Sequence, residues 1–151
     1  MASETAERFM KALQQTEAAR DPGPVSDLFG DDAELTTLAH PDPRRGRDGA
    51  KQFWAEYLHA FGQIRSQFGD VHEAGPVAVL EWSSDGELPD GSPVHYRGVS
   101  ILETADGRVR KFRTYYDSAA LRINPKNGAK VEIPNGRPGE PGNEPVPEAG
   151  A

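Results

Sequence analysis

Apolar residues recur first with the period of a helix and later with the period of a strand. Ala6, Phe9, Met10 and Leu13 follow at three- and four-residue intervals, which predicts an N-terminal helix. Ser3 is suited to cap it, Glu4 and Glu7 fall in its first turn, and Asp21-Pro22 ends it. Val25 to Phe29 predicts a short second helix closed by Gly30, and Leu35 to Leu38 a short strand. His40-Pro41-Asp42-Pro43-Arg44-Arg45-Gly46 is expected to be a loop because of its prolines and glycine. Asp48 is suited to cap a third helix, on which Ala50, Phe53, Trp54, Tyr57, Leu58 and Phe61 form a wide apolar stripe.

After Gly62 the alternation changes to period two. Strands are expected over Ile64 to Ala74, with a bulge at Gly69, and over Val77 to Ser84, Val94 to Thr104 and Arg108 to Tyr116. Asp106-Gly107 is a hairpin turn, and Asp117 to Leu121 a closing turn. Helices first and hairpin-linked strands afterwards imply an α+β domain, its antiparallel sheet curled around the helices.

Composition sets the limits of that domain. From Arg122 to Ala151 the chain holds six prolines and five glycines with almost no aliphatic residues, too little apolar surface to offset ordering entropy. Residues 1–121 are therefore expected to form the domain and 122–151 a mostly disordered tail. Within the tail, Lys130-Val131-Glu132-Ile133 alternates and could add a short edge strand. With 17 Lys and Arg against 24 Asp and Glu, the net charge of −7 argues against nucleic-acid binding. The absence of cysteine excludes disulfides, thiolate catalysis and cysteine metal centres. The longest aliphatic run, Val77 to Leu80, is too short to span a bilayer, and no basic segment leads into an apolar stretch at the N-terminus. A cytoplasmic protein with no membrane or nucleic-acid partner is expected.

Four segments carry a resemblance to a known family. Phe29-Gly30-Asp31-Asp32-Ala33-Glu34-Leu35 resembles a short helix running into a first strand, and Gly46-Arg47-Asp48-Gly49-Ala50 with Phe53-Trp54 the start of a third helix. Leu80-Glu81-Trp82 resembles a mid-sheet strand. Arg97-Gly98-Val99, Asp106-Gly107-Arg108-Val109 and Phe112-Arg113-Thr114-Tyr115-Tyr116-Asp117 resemble a final hairpin. Their order over residues 4–121 resembles the SnoaL-like and ketosteroid-isomerase-like branch of the nuclear-transport-factor-two-like superfamily. The resemblance implies a cone-shaped α+β barrel, a cystatin-like roll with N-terminal helices packed in the concave face of a curved, largely antiparallel sheet. It also implies a mostly apolar pocket and a homodimer formed through the outer sheet face.

Alternation anchored on that resemblance places Leu80, Trp82 and Ser84 inward, with His95, Arg97, Val99 and Ile101, and with Phe112, Thr114 and Tyr116. Leu13, Thr37, Trp54 and Tyr57 close the expected pocket, while Glu81, Tyr96, Arg113 and Tyr115 face outward. The carboxylate base, tyrosine and acid of a steroid isomerase fall at Thr37, Leu13 and Val99, none of which serves. The aspartates and arginine of an epoxide hydrolase fall at Thr114 and near Trp82 and Ser84, and are absent as well.

His95 and Arg97 are the remaining catalytic candidates. A pocket histidine suits proton transfer, and its bland alternative is an exposed strand histidine. An inward Arg97 could clamp a carboxylate or polarise a carbonyl, or else pair with Glu103 or Asp117 at the rim. His40 and Asp42 could line the mouth or belong to a solvated turn. Glu56 and His59 have the spacing of one metal-ligand pair where a di-metal bundle needs two, so neither a metal nor another cofactor is expected. Two functions stay open. One is a protein binding a small hydrophobic molecule without the family's familiar catalytic carboxylates. The other is an acid/base isomerase, cyclase or hydrolase acting on a hydrophobic carbonyl or polycyclic substrate.

Overall fold

A computed structural model describes residues 3–38 and 40–122. The expected tail beyond Arg122, with its short strand at Lys130 to Ile133, lies outside the described residues. Helix α1 spans Glu4–Ala19, and Ser3 caps it, its hydroxyl accepting from the Ala6 N–H at 3.2 Å. Arg20 ends it in the left-handed region at φ 54°. The short α2 covers Gly23–Ser26, earlier than expected, because Phe29 already belongs to strand β1, Phe29–Thr37. Thr16 on α1 accepts from the Val25 N–H at 3.0 Å and pins α2 in place.

His40 to Arg45 is not a loop. It forms β2, His40–Arg45, paired antiparallel to β1 and followed directly by α3, Gly46–His59. The strand lies at the end of the sheet, so Pro41 and Pro43 need offer no N–H to a second neighbour. Asp48 accordingly sits in the first turn of α3 instead of capping it.

Strands β3 (Gln63–Ala74), β4 (Val77–Glu87), β5 (Pro93–Ala105) and β6 (Arg108–Tyr116) follow, closed by α4 (Ala119–Arg122). The sheet order is β2-β1-β6-β5-β4-β3. Every pairing is antiparallel except β1 with β6, so the sheet is largely antiparallel and open-edged. The β3–β4 register slips between Phe68 and Val71, which places the bulge at Gly69 as expected. Asp106 and Gly107 take positive φ at 55° and 75°, the geometry that a two-residue hairpin turn demands. Asp117 accepts from the Ala119 N–H at 3.1 Å and starts α4.

The helices pack on the concave face. Phe9, Phe29, Phe53, Trp54 and Phe112 form an aromatic cluster with ring centroids 5.0 to 6.4 Å apart. Such pairs add about 0.5–1.5 kcal/mol each beyond the area they bury. The Arg20 guanidinium donates to the Leu58 and Phe61 carbonyls at 2.9 and 3.0 Å. A cation there satisfies carbonyls at the C-terminal end of α3 and ties that helix to α1.

Candidate functional site

The register decides which side chains face the helices. Residues directly opposite in neighbouring strands share a face. Ser84 pairs with Tyr96, Trp82 with Gly98 and Leu80 with Ser100; Gly98 pairs in turn with Tyr116, and Ser100 with Thr114. The inner face of β5 therefore carries Val94, Tyr96, Ser100 and Leu102, all buried. This corrects the sequence reading of that strand by one residue. Tyr96, expected outside, is 4% exposed and stacks on Phe61. His95, Arg97, Val99 and Ile101 lie on the other face.

His95 shows what that placement costs the catalytic expectation. Its Nδ1 stands 2.6 Å from Asp85 Oδ1, but its side chain is 66% exposed and on the face turned away from the helices. Arg97 is exposed on an outer groove with Glu81, Val99, Tyr115 and Asp117. Glu103, one of its expected partners, pairs with Arg113 at 3.0 Å, which holds the Glu103 carboxyl below the usual range. Asp42 is exposed. Glu56 receives Arg44 through two short contacts at 2.8 and 2.9 Å, so this half of the Glu56–His59 pair is already engaged. Asp70, His72 and Glu81 bring one ligand atom each within 4.8 Å of one another, all on exposed side chains, with His72 bonded to Glu81 at 3.2 Å.

The inner face lines a partly open cavity of about 40 Å³. At roughly 10–15 Å³ per water, it holds a few water-sized atoms with the side chains where they stand. Its aromatic walls are Phe53, Trp54 and Tyr57 from α3, with Trp82, Tyr96, Phe112 and Tyr116 from the sheet. Leu13 of α1 completes the apolar part, and Ser66, Ser84, Ser100 and Thr114 supply hydroxyls. Of the residues expected to form a pocket, Leu13, Trp54, Tyr57, Trp82, Ser84, Phe112, Thr114 and Tyr116 line this cavity. Thr37 is buried beside it and hydrogen-bonds Tyr116. His95, Arg97 and Val99 do not reach it.

The hydroxyls form two groups. On the β4–β6 side, Trp82 Nε1 donates to Ser100 Oγ at 2.9 Å, and Ser100 Oγ lies 3.0 Å from Thr114 Oγ1. On the β3 side, Ser66 Oγ lies 2.6 Å from Ser84 Oγ and leads to a residue the sequence reading passed over, Glu17 of α1. Glu17 is 4% exposed. Its Oε2 accepts from the Tyr57 hydroxyl and the Ser66 hydroxyl, both at 2.6 Å, and its Oε1 accepts from the Ser66 N–H at 2.8 Å. Gln14, one turn earlier, donates to the Ser66 carbonyl at 3.2 Å, so α1 fixes Ser66 from both sides.

Burial raises the Glu17 pKa above the ordinary 4.5, more than those three bonds lower it. Burial likewise drives the Tyr57 and Tyr96 hydroxyls well above the usual phenol range, and Tyr116 upward too. The tyrosines are therefore neutral hydrogen-bonding groups near neutral pH. Trp54 Nε1 is a buried donor without a hydrogen-bond acceptor among the described residues.

A signal for Glu17 was present in the sequence. It follows Leu13 by four residues on the stripe of Ala6, Phe9 and Leu13, where a carboxylate has no reason to stand unless it is satisfied inside.

Comparison with known proteins fits this architecture. No curated protein sequence matches the chain. An NTF2-like protein from Anabaena variabilis has a similar structure, with a TM-score of 0.71 at 17% identity over 80% of this chain and 96% of that one. A protein of ketosteroid isomerase-like fold from Catenulispora acidiphila, solved in complex with trimethylamine, gives 0.69 at 17% identity over 77% and 91%. An LEH-like epoxide hydrolase of M. tuberculosis gives 0.62 at 18% identity over 77% and 85%. The SnoaL-like domain matches residues 6–112, most of the described chain, and the protein belongs to that family.

Proposed function

We propose that the protein binds a compact, largely apolar small molecule in the inner cavity, oriented by hydroxyls on its walls. One observation carries this reading: seven aromatic side chains surround the same small space as four serine and threonine hydroxyls. These hydroxyls are hydrogen-bonded within the protein and keep further lone pairs, and a few converging polar groups on an apolar wall are what a ligand site requires. The volume narrows the guest. A polycyclic molecule exceeds it with the rings in place, whereas something near the size of the trimethylamine bound by the Catenulispora relative is closer in scale.

A second reading, acid/base catalysis on a small carbonyl compound, is favoured by Glu17. Its carboxylate touches the cavity wall through Tyr57 and Ser66, a stronger position for proton transfer than that of His95. The two tryptophans of the chain both line the cavity, so intrinsic fluorescence reports on it directly. A panel of compact alcohols, amides and amines is expected to include members that change the emission saturably. A panel in which every compound leaves it unchanged, or changes it linearly without limit, removes the binding reading. Turnover of a bound carbonyl compound that Glu17→Gln abolishes would establish the second.

A further inference from the structure

Counting protons along the Glu17 network gives the cavity a polarity. An ionised Glu17 only accepts, so Tyr57 and Ser66 both spend their single hydroxyl proton on Oε2. Ser66 Oγ then has no proton for Ser84, and the 2.6 Å contact between them requires Ser84 to donate. Every hydroxyl proton on this wall points away from the cavity, leaving lone pairs on the Tyr57 and Ser84 oxygens for a guest. Protonation at Oε2 reverses one branch. Oε1 accepts one hydrogen bond and Oε2 accepts two, and a proton placed on Oε2 is donated to Tyr57 or to Ser66. The recipient must release its own proton, either from Tyr57 directly or from Ser66 through Ser84. One proton taken up at Glu17 becomes one hydroxyl donor turned toward the cavity.

We infer that Glu17 takes up its proton on Oε2 and thereby sets the hydrogen-bond polarity of the cavity, so that the ionised protein prefers a small alcohol and the protonated protein accepts the matching ketone. The inference rests on the reading of the cavity as a binding site. The Ser100–Thr114 pair does not discriminate, because it retains one rotatable hydroxyl in every state.

Glu17 also borders an open groove beyond the cavity wall, which gives it a route to solvent protons. The titratable and charged groups around it are Tyr57 from α3, Tyr96 from β5, Arg20 of α1, Arg65 of β3, and Asp85 and Glu87 of β4. Arg20 is held by the carbonyls of Leu58 and Phe61. The direction of the Glu17 pKa, raised by burial, brings its protonated form closer to neutral pH.

The test uses 2-propanol and acetone, which share a carbon skeleton, titrated into the full chain and read at the indole N–H resonances of Trp54 and Trp82. At about pH 9, well above the ordinary carboxyl range, 2-propanol is expected to bind about fivefold more tightly than acetone, the ratio one net hydrogen bond supplies. In Glu17→Gln the amide nitrogen donates to Tyr57 and Ser66, and the preference should vanish or invert. Ser84→Ala, a small change that leaves Glu17 and its partners in place, should lower 2-propanol affinity and leave acetone unchanged. If Glu17→Gln does not fold, lowering the pH of the unmodified protein toward about 4.5 should shrink the ratio in the same way. Saturable binding of both compounds with one ratio in every variant and at every pH overturns the polarity inference and leaves the cavity as a binding site. Failure of both compounds to move the indole resonances overturns both.

Discussion

Two carboxylates in this protein accept hydrogen bonds of the same length in opposite settings. Asp85 on the outer face stands 2.6 Å from His95, and Glu17 on the inner face accepts from Tyr57 at 2.6 Å. Both side chains of the outer pair are more than half exposed, whereas Glu17 is 4% exposed. Water competes for the outer pair and screens it, so its short distance means little energetically. Water competes far less for the inner one, and its protonation state changes what the surrounding groups can do. Short geometry alone thus does not mark a functional site; geometry combined with exclusion of water does.

The contrast can be broken most forcefully from the inner side. Phe112 packs against Phe9, Phe29, Phe53 and Trp54, and Phe112→Ala is expected to cost about 3–5 kcal/mol in urea unfolding. Gly98→Ala comes next. A Cβ there would overlap the Tyr115 carbonyl and lie 2.6 Å from the Trp82 ring, so a loss of about 1–3 kcal/mol is expected, with an altered Trp82 environment in near-UV dichroism.

Glu17→Gln sharpens the comparison through pH. The folded-state pKa of Glu17 is raised, so its contribution to stability is complete below the unfolded value near 4.5 and falls as pH rises through the folded value. The stability of Glu17→Gln relative to the parent should therefore climb with pH above about 4.5 and then level off. A flat difference across that range would show that Glu17 has the same affinity for protons folded and unfolded. The smallest effect belongs to the outer pair: His95→Ala is expected to change stability by less than about 1 kcal/mol, with still less effect at high salt.

Much of the fold was readable from periodicity and turn chemistry. The capped first helix, the aromatic stripe of α3, the Gly69 bulge and the Asp106-Gly107 hairpin all follow from local rules. β2 did not, because its prolines are tolerated only by its position at the sheet edge, which is a fact of topology. The face of β5 was misread because both of its alternating sets contain apolar residues: Val99 and Ile101 on one, Tyr96 and Leu102 on the other. Cross-strand register with Ser84 and Thr114 settled the choice, and no pattern within one strand holds that information. Glu17 was missed for a related reason. Its place on the apolar stripe of α1 hinted at burial, but the groups that satisfy it, Tyr57 and Ser66, are 40 and 49 residues away.

The claim that the working face is the inner one is tested most directly by NMR of the full chain during titration with compact alcohols, following the Trp54 indole together with the His72 and His95 rings. The expected result is a saturable shift at Trp54 while both histidine rings, on the outer face, stay in place. Saturable shifts at the histidine rings with an unmoved Trp54 would place the binding site on the outer sheet and contradict the account.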